Sequence, residues 1–348
     1  INPKDIKSYY GLYSLNIDNI TPKLYEKIKK INEENKISPF EKSLINFIFS
    51  KIEKKKKNFK SEIEYLKISQ ELCYKSNLIL NKQADFYYKN IITNYSNAIK
   101  FKKKFTKIPK INNSKHLFIV GLPRSGSSLV ETIICHNSND IYSVGEFHGI
   151  NTSILNQVGE IIYSKNFDYK KYQIEIDQEE FQQSLIEKYG NLEKNIFLDK
   201  SLENFFNIEI ILQFFPNAKF LHTFRNYKDA IIGIYQTMLP GLSWSHKIMD
   251  IINYINLYEK TIRYFKKKYP DKIIDINLHK LTSEKEREAK KILDFCGIKP
   301  REDFLDFDKN TKLFNKTNSF LQVRKKIKKY DDNKYEPYYF LLKNLNYE

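Results

Sequence analysis

Residues 118–131 read Phe-Ile-Val-Gly-Leu-Pro-Arg-Ser-Gly-Ser-Ser-Leu-Val-Glu, and no other stretch constrains the fold as much. The apolar run from Leu117 to Val120 suits a strand buried on both faces, as the strands of a parallel sheet are. Gly121 ends that run, Pro123 and Gly126 punctuate a turn, and Leu129 to Cys135 continues as a helix. A strand, turn and helix in this order point successive backbone N–H groups into one concavity and aim the positive end of the helix at it, which makes an anion site. Gly126 lets the backbone approach an oxyanion closely. Ser127 and Ser128 offer hydroxyls to a ligand and to the helix N-terminus, and Arg124 brings a guanidinium into the turn. A nucleotide-hydrolysing loop, G-x-x-x-x-G-K-[ST], carries lysine after its second glycine; here that position is Ser127. Phosphoryl transfer leans on that lysine and on magnesium, so a kinase on a variant loop stands only as an alternative.

The remainder of the chain repeats the alternation. Ile196–Leu198, Phe220–Phe224 and Ile273–Ile276 read as strands, and helix-like stretches follow at 203–214, 228–238 and 284–296. Strands alternating with helices predict an α/β fold, a parallel sheet flanked by helices. Residues 1–110 read differently. Apolar residues recur at helical spacing over 39–54, 59–76 and 82–104, which predicts a helical hairpin and a third helix. The polar segment 107–115, with Pro109, is the expected boundary between a helical region at 1–110 and the α/β domain at 111–348.

Composition narrows the function classes. The formal net charge of +17 invites a nucleic-acid reading, yet only six of the 59 basic residues are arginine, and the lysines are spread along a chain rich in Asn and Ile. That is the mark of an AT-rich genome as much as of a binding surface, so no nucleic-acid partner is expected, although the charge helps attract a polyanion. The three cysteines, Cys73, Cys135 and Cys296, are far apart and form no CxxC pair, which predicts a reducing, cytoplasmic setting without a disulfide framework or a metal site. No apolar run is long enough to predict a membrane span.

The pattern P-R-S-G-[ST]-[ST]-L-[VM]-E at 123–131, followed by Gly145-Glu146, resembles the cytosolic and Golgi sulfotransferases. It is most similar to the bacterial sulfotransferases with an N-terminal tetratricopeptide region, which in turn resemble tyrosylprotein sulfotransferases. The resemblance covers most of 115–340 and, weakly, 40–100, where a last tetratricopeptide-like repeat would lie. It implies a P-loop-like sheet and 3′-phosphoadenosine 5′-phosphosulfate (PAPS) as sulfuryl donor, held by Pro123, Arg124, Ser125, Gly126, Ser127 and Ser128, with Arg124 also catalytic in stabilising the leaving phosphate and with no metal. It implies Glu146 as the general base for an acceptor hydroxyl, with His148 a less favoured alternative. Leu198-Asp-Lys-Ser201 with Asn204-Phe205 resembles the family's D-K-x-P-x-N-F, which makes Lys200 the cation beside the transferring group; Ser201 or Leu202 stands where the family has proline. Arg225, in Arg-Asn-Tyr-Lys-Asp229, resembles the arginine that grips the 3′-phosphate. Arg324, in the T-x-S-x-x-Q-V-R match at 317–324, would close over the nucleotide. Gly233, Leu278 and Asp331 depart from the family's serine, tyrosine and serine, which keeps a non-catalytic nucleotide- or partner-binding module as a further alternative. The implied acceptor is a hydroxyl compound (a peptide tyrosine, a sugar or another small molecule), with a peptide partner for the helical region.

Overall fold

The computed structural model describes residues 5–34, 37–88, 99–101, 115–152, 174–176, 180, 187, 196–306 and 327–343. The chain groups into two compact units. One is assembled from Ile1–Phe86, Ile231–Tyr254 and Asp332–Glu348, the other from Tyr87–Ala230 and Ile255–Asp331. The expected linker at 107–115 lies outside the described residues apart from Lys115.

The first unit opens with helices α1 (Ile6–Leu15) and α2 (Pro22–Glu33) and is built around a hairpin of α3 (Pro39–Lys55) and α4 (Phe59–Ser76). Helix α3 starts with Pro39 at its first turn and a capping box, in which the Ser38 hydroxyl accepts from the Glu41 amide while the Glu41 carboxylate accepts from the Ser38 amide. The hairpin buries Leu44, Ile45, Phe47, Ile48 and Phe49 of α3 and Leu66 and Cys73 of α4. Two polar groups inside it are matched to later parts of the chain. Gln70 Nε2 donates to the carbonyls of Tyr235 and Thr237, and the fully buried Glu62 carboxylate accepts from Tyr338 Oη at 2.5 Å and Gln236 Nε2 at 3.3 Å. Most buried polar groups have such partners.

Beyond the hairpin the structure corrects one expectation. The third helix does not run over 82–104: helix α5 spans Leu78–Phe86, and Ile99–Phe101 is a short strand, β1, paired in parallel with β4, Ile174–Ile176. Ile-Lys-Phe against Ile-Glu-Ile alternates apolar and polar residues on both strands, a period-two pattern that a pleat satisfies and a helix does not.

The second unit holds a five-stranded parallel sheet. Its strands are β2 (Lys115–Gly121), β3 (Ile141–Gly145), β5 (Ile196–Asp199), β6 (Lys219–Phe224) and β7 (Ile273–Asn277), in the order β3-β5-β2-β6-β7. Helices α6 (Ser127–Asn137), α7 (Ile208–Phe214), α10 (Leu278–Ser283) and α11 (Lys285–Cys296) belong to this unit, and α8 (Tyr227–Tyr235) and α9 (Ile248–Lys268) each have one part in it and one in the first unit. Side chains of the central strand alternate between two cores. Leu117 and Ile119 pack with Val130, Ile133 and Ile134 of α6 and Ala289, Ile292 and Leu293 of α11. On the opposite face, Phe118 stacks on Phe220 at 5.5 Å and lies 6.4 Å from Phe215, while Phe205 meets the edge of Tyr258 at 4.9 Å. Covering both faces is what parallel strands require, so the fold is α/β with flanking helices, as expected. Strand β3 was not anticipated: Ile-Tyr-Ser-Val-Gly is short, mixed in polarity and bulged between Ser143 and Gly145, as befits a sheet edge. No described helix is long and apolar enough to cross a membrane.

Strand β2 carries one polar misfit. His116 stacks on Phe215 at 4.1 Å, and burial pushes its imidazole down to about 4 from the ordinary 6.5. The unfolded chain therefore binds the proton first. Stability is intact above pH 6.5 and is lost as the pH falls from 6.5 toward 4. Urea unfolding midpoints of the wild type should decline over that window, and His116→Phe should flatten the decline.

Candidate active site

In an open parallel sheet, ligands gather beyond the carboxyl ends of the strands where the chain's winding reverses. Strand β2 leads toward β3 on one side and its neighbour β6 leads toward β7 on the other, so the reversal falls between β2 and β6. The residues singled out from the sequence follow these strand ends: the 121–128 loop follows β2, Glu146 follows β3, Lys200 follows β5 and Arg225 follows β6.

The loop is a chain of unusual backbone conformations. Gly121 has φ 145°, Arg124 φ 66° and Gly126 φ 93°. Three positive-φ residues within six positions make a tight, irregular turn between β2 and the helix that follows, the kind of turn in which backbone amides can converge on an anion. Gly121 has no room for a side chain: a Cβ there would lie 2.2 Å from the Thr223 carbonyl oxygen. At Gly126 a Cβ would meet Leu278 Cδ1 at 2.7 Å, so the residue standing where the family has tyrosine packs against the loop. Ser125 is almost fully buried. Its hydroxyl donates to the Leu122 carbonyl at 2.6 Å and meets Thr223 Oγ1 at 2.7 Å, which pins the loop to β6. The expectation that serine hydroxyls cap the helix is corrected. The N-cap is Gly126, which has no side chain to offer, and Ser127 and Ser128 fill the first helical positions behind it, largely buried.

Glu146 and Lys200 come together. Lys200 Nζ, fully buried, donates to Glu146 Oε1 at 2.7 Å, and its backbone amide donates to the Gly145 carbonyl at 2.9 Å. The Glu146 side chain is 50% exposed, so the carboxylate stands open on one side and paired on the other. His148, the alternative base, has φ 54° and is held by its amide, which donates to Ser201 Oγ at 2.7 Å; its side chain is exposed. The sequence reading missed a third member. Glu131 on α6 is buried, accepts from Ser143 Oγ at 2.6 Å through Oε1, and places Oε2 3.7 Å from Lys200 Nζ. Burial raises its carboxyl above the ordinary range, and Lys200 and Ser143 oppose the rise. The signal was present in the sequence: a lone carboxylate within the apolar stretch Leu129 to Cys135 demands a partner.

Arg225 is buried at the end of β6. Its guanidinium donates through Nη2 to the Asp229 carbonyl at 2.7 Å and through Nη1 to Tyr330 Oη at 3.4 Å, and Tyr330 Oη donates to Asp229 Oδ2 at 2.6 Å. Arg324 and the surrounding match at 317–324 lie outside the described residues. Among the described residues, no group of three or more His, Cys, Asp or Glu side chains is arranged to hold a metal ion.

The sequence profile of the sulfotransferase family matches residues 116–303, from the start of β2 past the end of α11. This chain belongs to the sulfotransferase family. It is similar to the solved sulfotransferase domain from the Synechococcus PCC 7002 olefin synthase, at 18% identity and a TM-score of 0.42 over 67% of this chain and 91% of that one. The sulfotransferase domain from the curacin biosynthetic pathway is 14% identical, with a TM-score of 0.43 over 68% and 98%. An uncharacterized protein of Aquifex aeolicus (strain VF5) is 25% identical over 304 residues, 84% of this chain; the chain spans only 39% of that relative's length.

Proposed function

We propose that this sulfotransferase-family chain transfers a sulfuryl group from PAPS to a hydroxyl acceptor by in-line displacement. The observation that carries the reading is the meeting of Lys200 and Glu146 at 2.7 Å beside the positive-φ loop, a fixed cation and a half-exposed carboxylate at the carboxyl ends of neighbouring strands. The residues present fit an anionic nucleotide. The loop bends through three positive-φ residues and leads into the N-terminus of α6, Arg124 lies within it, and Arg225 stands at the next strand end. PAPS, when bound, supplies the sulfuryl group and the phosphate that departs from it. Pro123 and the amides of Ser125, Gly126, Ser127 and Ser128 form the cradle for the 5′ side; Arg225 and Arg324 hold the 3′-phosphate.

Glu146 takes the proton of the acceptor hydroxyl on its carboxylate, and Lys200 Nζ presents positive charge where negative charge develops. Positioning and fixed charge supply most of the acceleration. The acceptor is a peptide tyrosine, a sugar or another small hydroxyl compound. The helices α1 to α5 within residues 1–110, read as tetratricopeptide-like, offer a place for a peptide partner.

The direct test is calorimetric titration with 3′-phosphoadenosine 5′-phosphate, with ATP and magnesium as the control. Micromolar binding of the 3′-phosphorylated nucleotide is expected, weakened about tenfold or more in Arg124→Ala and Arg225→Ala. Glu146→Gln should keep that affinity and lose transfer by about 10²–10⁴-fold. Preference for ATP with magnesium would move the reading to a kinase. Tight nucleotide binding with no transfer to any hydroxyl would move it to a binding module.

A further inference from the structure

Lys200 and Glu146 pose a difficulty for each other. Lys200 Nζ donates to Glu146 Oε1 at 2.7 Å and so occupies the carboxylate oxygen that the acceptor's proton would need. That oxygen opens to the acceptor only if Lys200 loosens its hold. A fully buried ammonium released into an apolar pocket without a counter-charge would cost several kcal/mol. The protein therefore needs a second anionic partner for Lys200 within a short swing of the first.

Such a partner is present. Glu131 rises from the second turn of α6, one oxygen fixed by the Ser143 hydroxyl from β3. Its other oxygen, Oε2, is buried, makes no hydrogen bond and lies 3.7 Å from Lys200 Nζ, too far for a hydrogen bond and near enough for an ion pair. Leaving a buried carboxylate oxygen without a hydrogen bond is costly, so packing alone does not account for it. We infer that Glu131 is a positioning residue for Lys200: a second carboxylate seat that receives the ammonium as it leaves Glu146 and so frees Glu146 to accept the acceptor's proton. This inference rests on the proposed sulfuryl transfer. It differs from that proposal in assigning work to Glu131, a buried residue to which the proposal gives no part. The charged and titratable groups facing Glu131 are Lys200 just after β5, Glu146 just after β3 and Cys135 one turn along α6, whose thiol burial holds at about 12. Cys135 therefore stays neutral through the working range, and Lys200 and Glu146 are the groups to which Glu131 couples.

The test is Glu131→Gln, read two ways. Removing this negative charge leaves Lys200 to Glu146 alone and takes a like charge away from Glu146, so the acidity of Glu146 rises. In a pH profile of kcat/KM the acid limb should move down by about half a unit or more and kcat should fall roughly tenfold, with the dissociation constant for 3′-phosphoadenosine 5′-phosphate changed less than about threefold. The second reading needs no turnover. In protein labelled with ¹³C at the glutamate side-chain carboxyls, the Glu146 titration, assigned by its loss in Glu146→Gln, should shift to lower pH in Glu131→Gln. That shift supports the coupling even if no transfer is detected, in which case the functional reading fails by itself. A titration and an acid limb that stay where they are in the wild type overturn the inference, since a merely structural Glu131 would lower stability and move neither. If Glu131→Gln does not fold, Glu131→Asp keeps the charge but withdraws it by one methylene, and the inference predicts a smaller shift in the same direction; no shift overturns it.

Discussion

Lys200→Met is expected to lose transfer by about 10²–10³-fold and to destabilise the fold by about 3–5 kcal/mol at neutral pH, with the stability loss shrinking in acid. Lys200 is fully buried between Glu146 and Glu131. Glu146, half exposed, can turn to water once the lysine is gone. Glu131 cannot, and it keeps a buried negative charge without its counter-ion. Its carboxyl is already raised by burial, and loss of Lys200 raises it further. The sign follows. A carboxyl raised in the folded state contributes stability that is fully present below the unfolded value of 4.5 and is lost as the pH rises through the folded value. Urea unfolding of the wild type and Lys200→Met between pH 8 and pH 4.5 should therefore show curves that converge toward acid. Parallel curves would mean that the strain of the variant lies in lost packing and not in the charge of Glu131.

The second large effect is steric. Gly121→Ala should cost on the order of 3 kcal/mol or more, enough to unfold a marginal domain. The added methyl would sit 2.2 Å from the Thr223 carbonyl oxygen and 2.9 Å from its hydroxyl, at a φ of 145° that side chains avoid. Gly121 and Thr223 are register partners in the β2–β6 ladder, the central pairing of the sheet. Relief would require parting those strands where the candidate site sits. Gly241→Ala, where a methyl meets nothing within 4 Å, is the matched control. Equal melting temperatures for the two variants would show that the Thr223 carbonyl gives way easily.

Much of the sheet was legible because its strands announce themselves. β2, β5, β6 and β7 are short apolar runs, each followed by a helical period, and both cores can be read as the two faces of that pattern. What could not be read is whatever depends on which strand lies beside which. The edge strand β3 lacks an apolar run, so the placing of Glu146 was legible only through its resemblance to a family motif. The nearness of Glu146 to Lys200 comes from β3 lying against β5, a pairing that no local pattern contains. Glu131 was in plain view within the loop-helix segment. Its importance depends on Ser143 and Lys200, brought to it by two strands from elsewhere in the chain. The helix expected over 82–104 failed for the complementary reason: three residues with period-two alternation were read in a helical frame because their partner, Ile174–Ile176, is 75 positions away in the register.

The buried Glu62 carboxylate has a consequence for the order of events during synthesis. Its hydroxyl partner, Tyr338, is 276 residues further on, and Gln236 is 174 residues further on. At about 5–20 residues per second the ribosome takes on the order of tens of seconds to deliver the second of these. Throughout that interval the α3–α4 hairpin is complete in sequence and holds Lys54 Nζ 3.7 Å from Glu62 Oε1, but it lacks the Gln236 and Tyr338 donors to that carboxylate. The nascent hairpin must keep Glu62 wet, and so partly open, until the last-made part of its unit arrives to seal it.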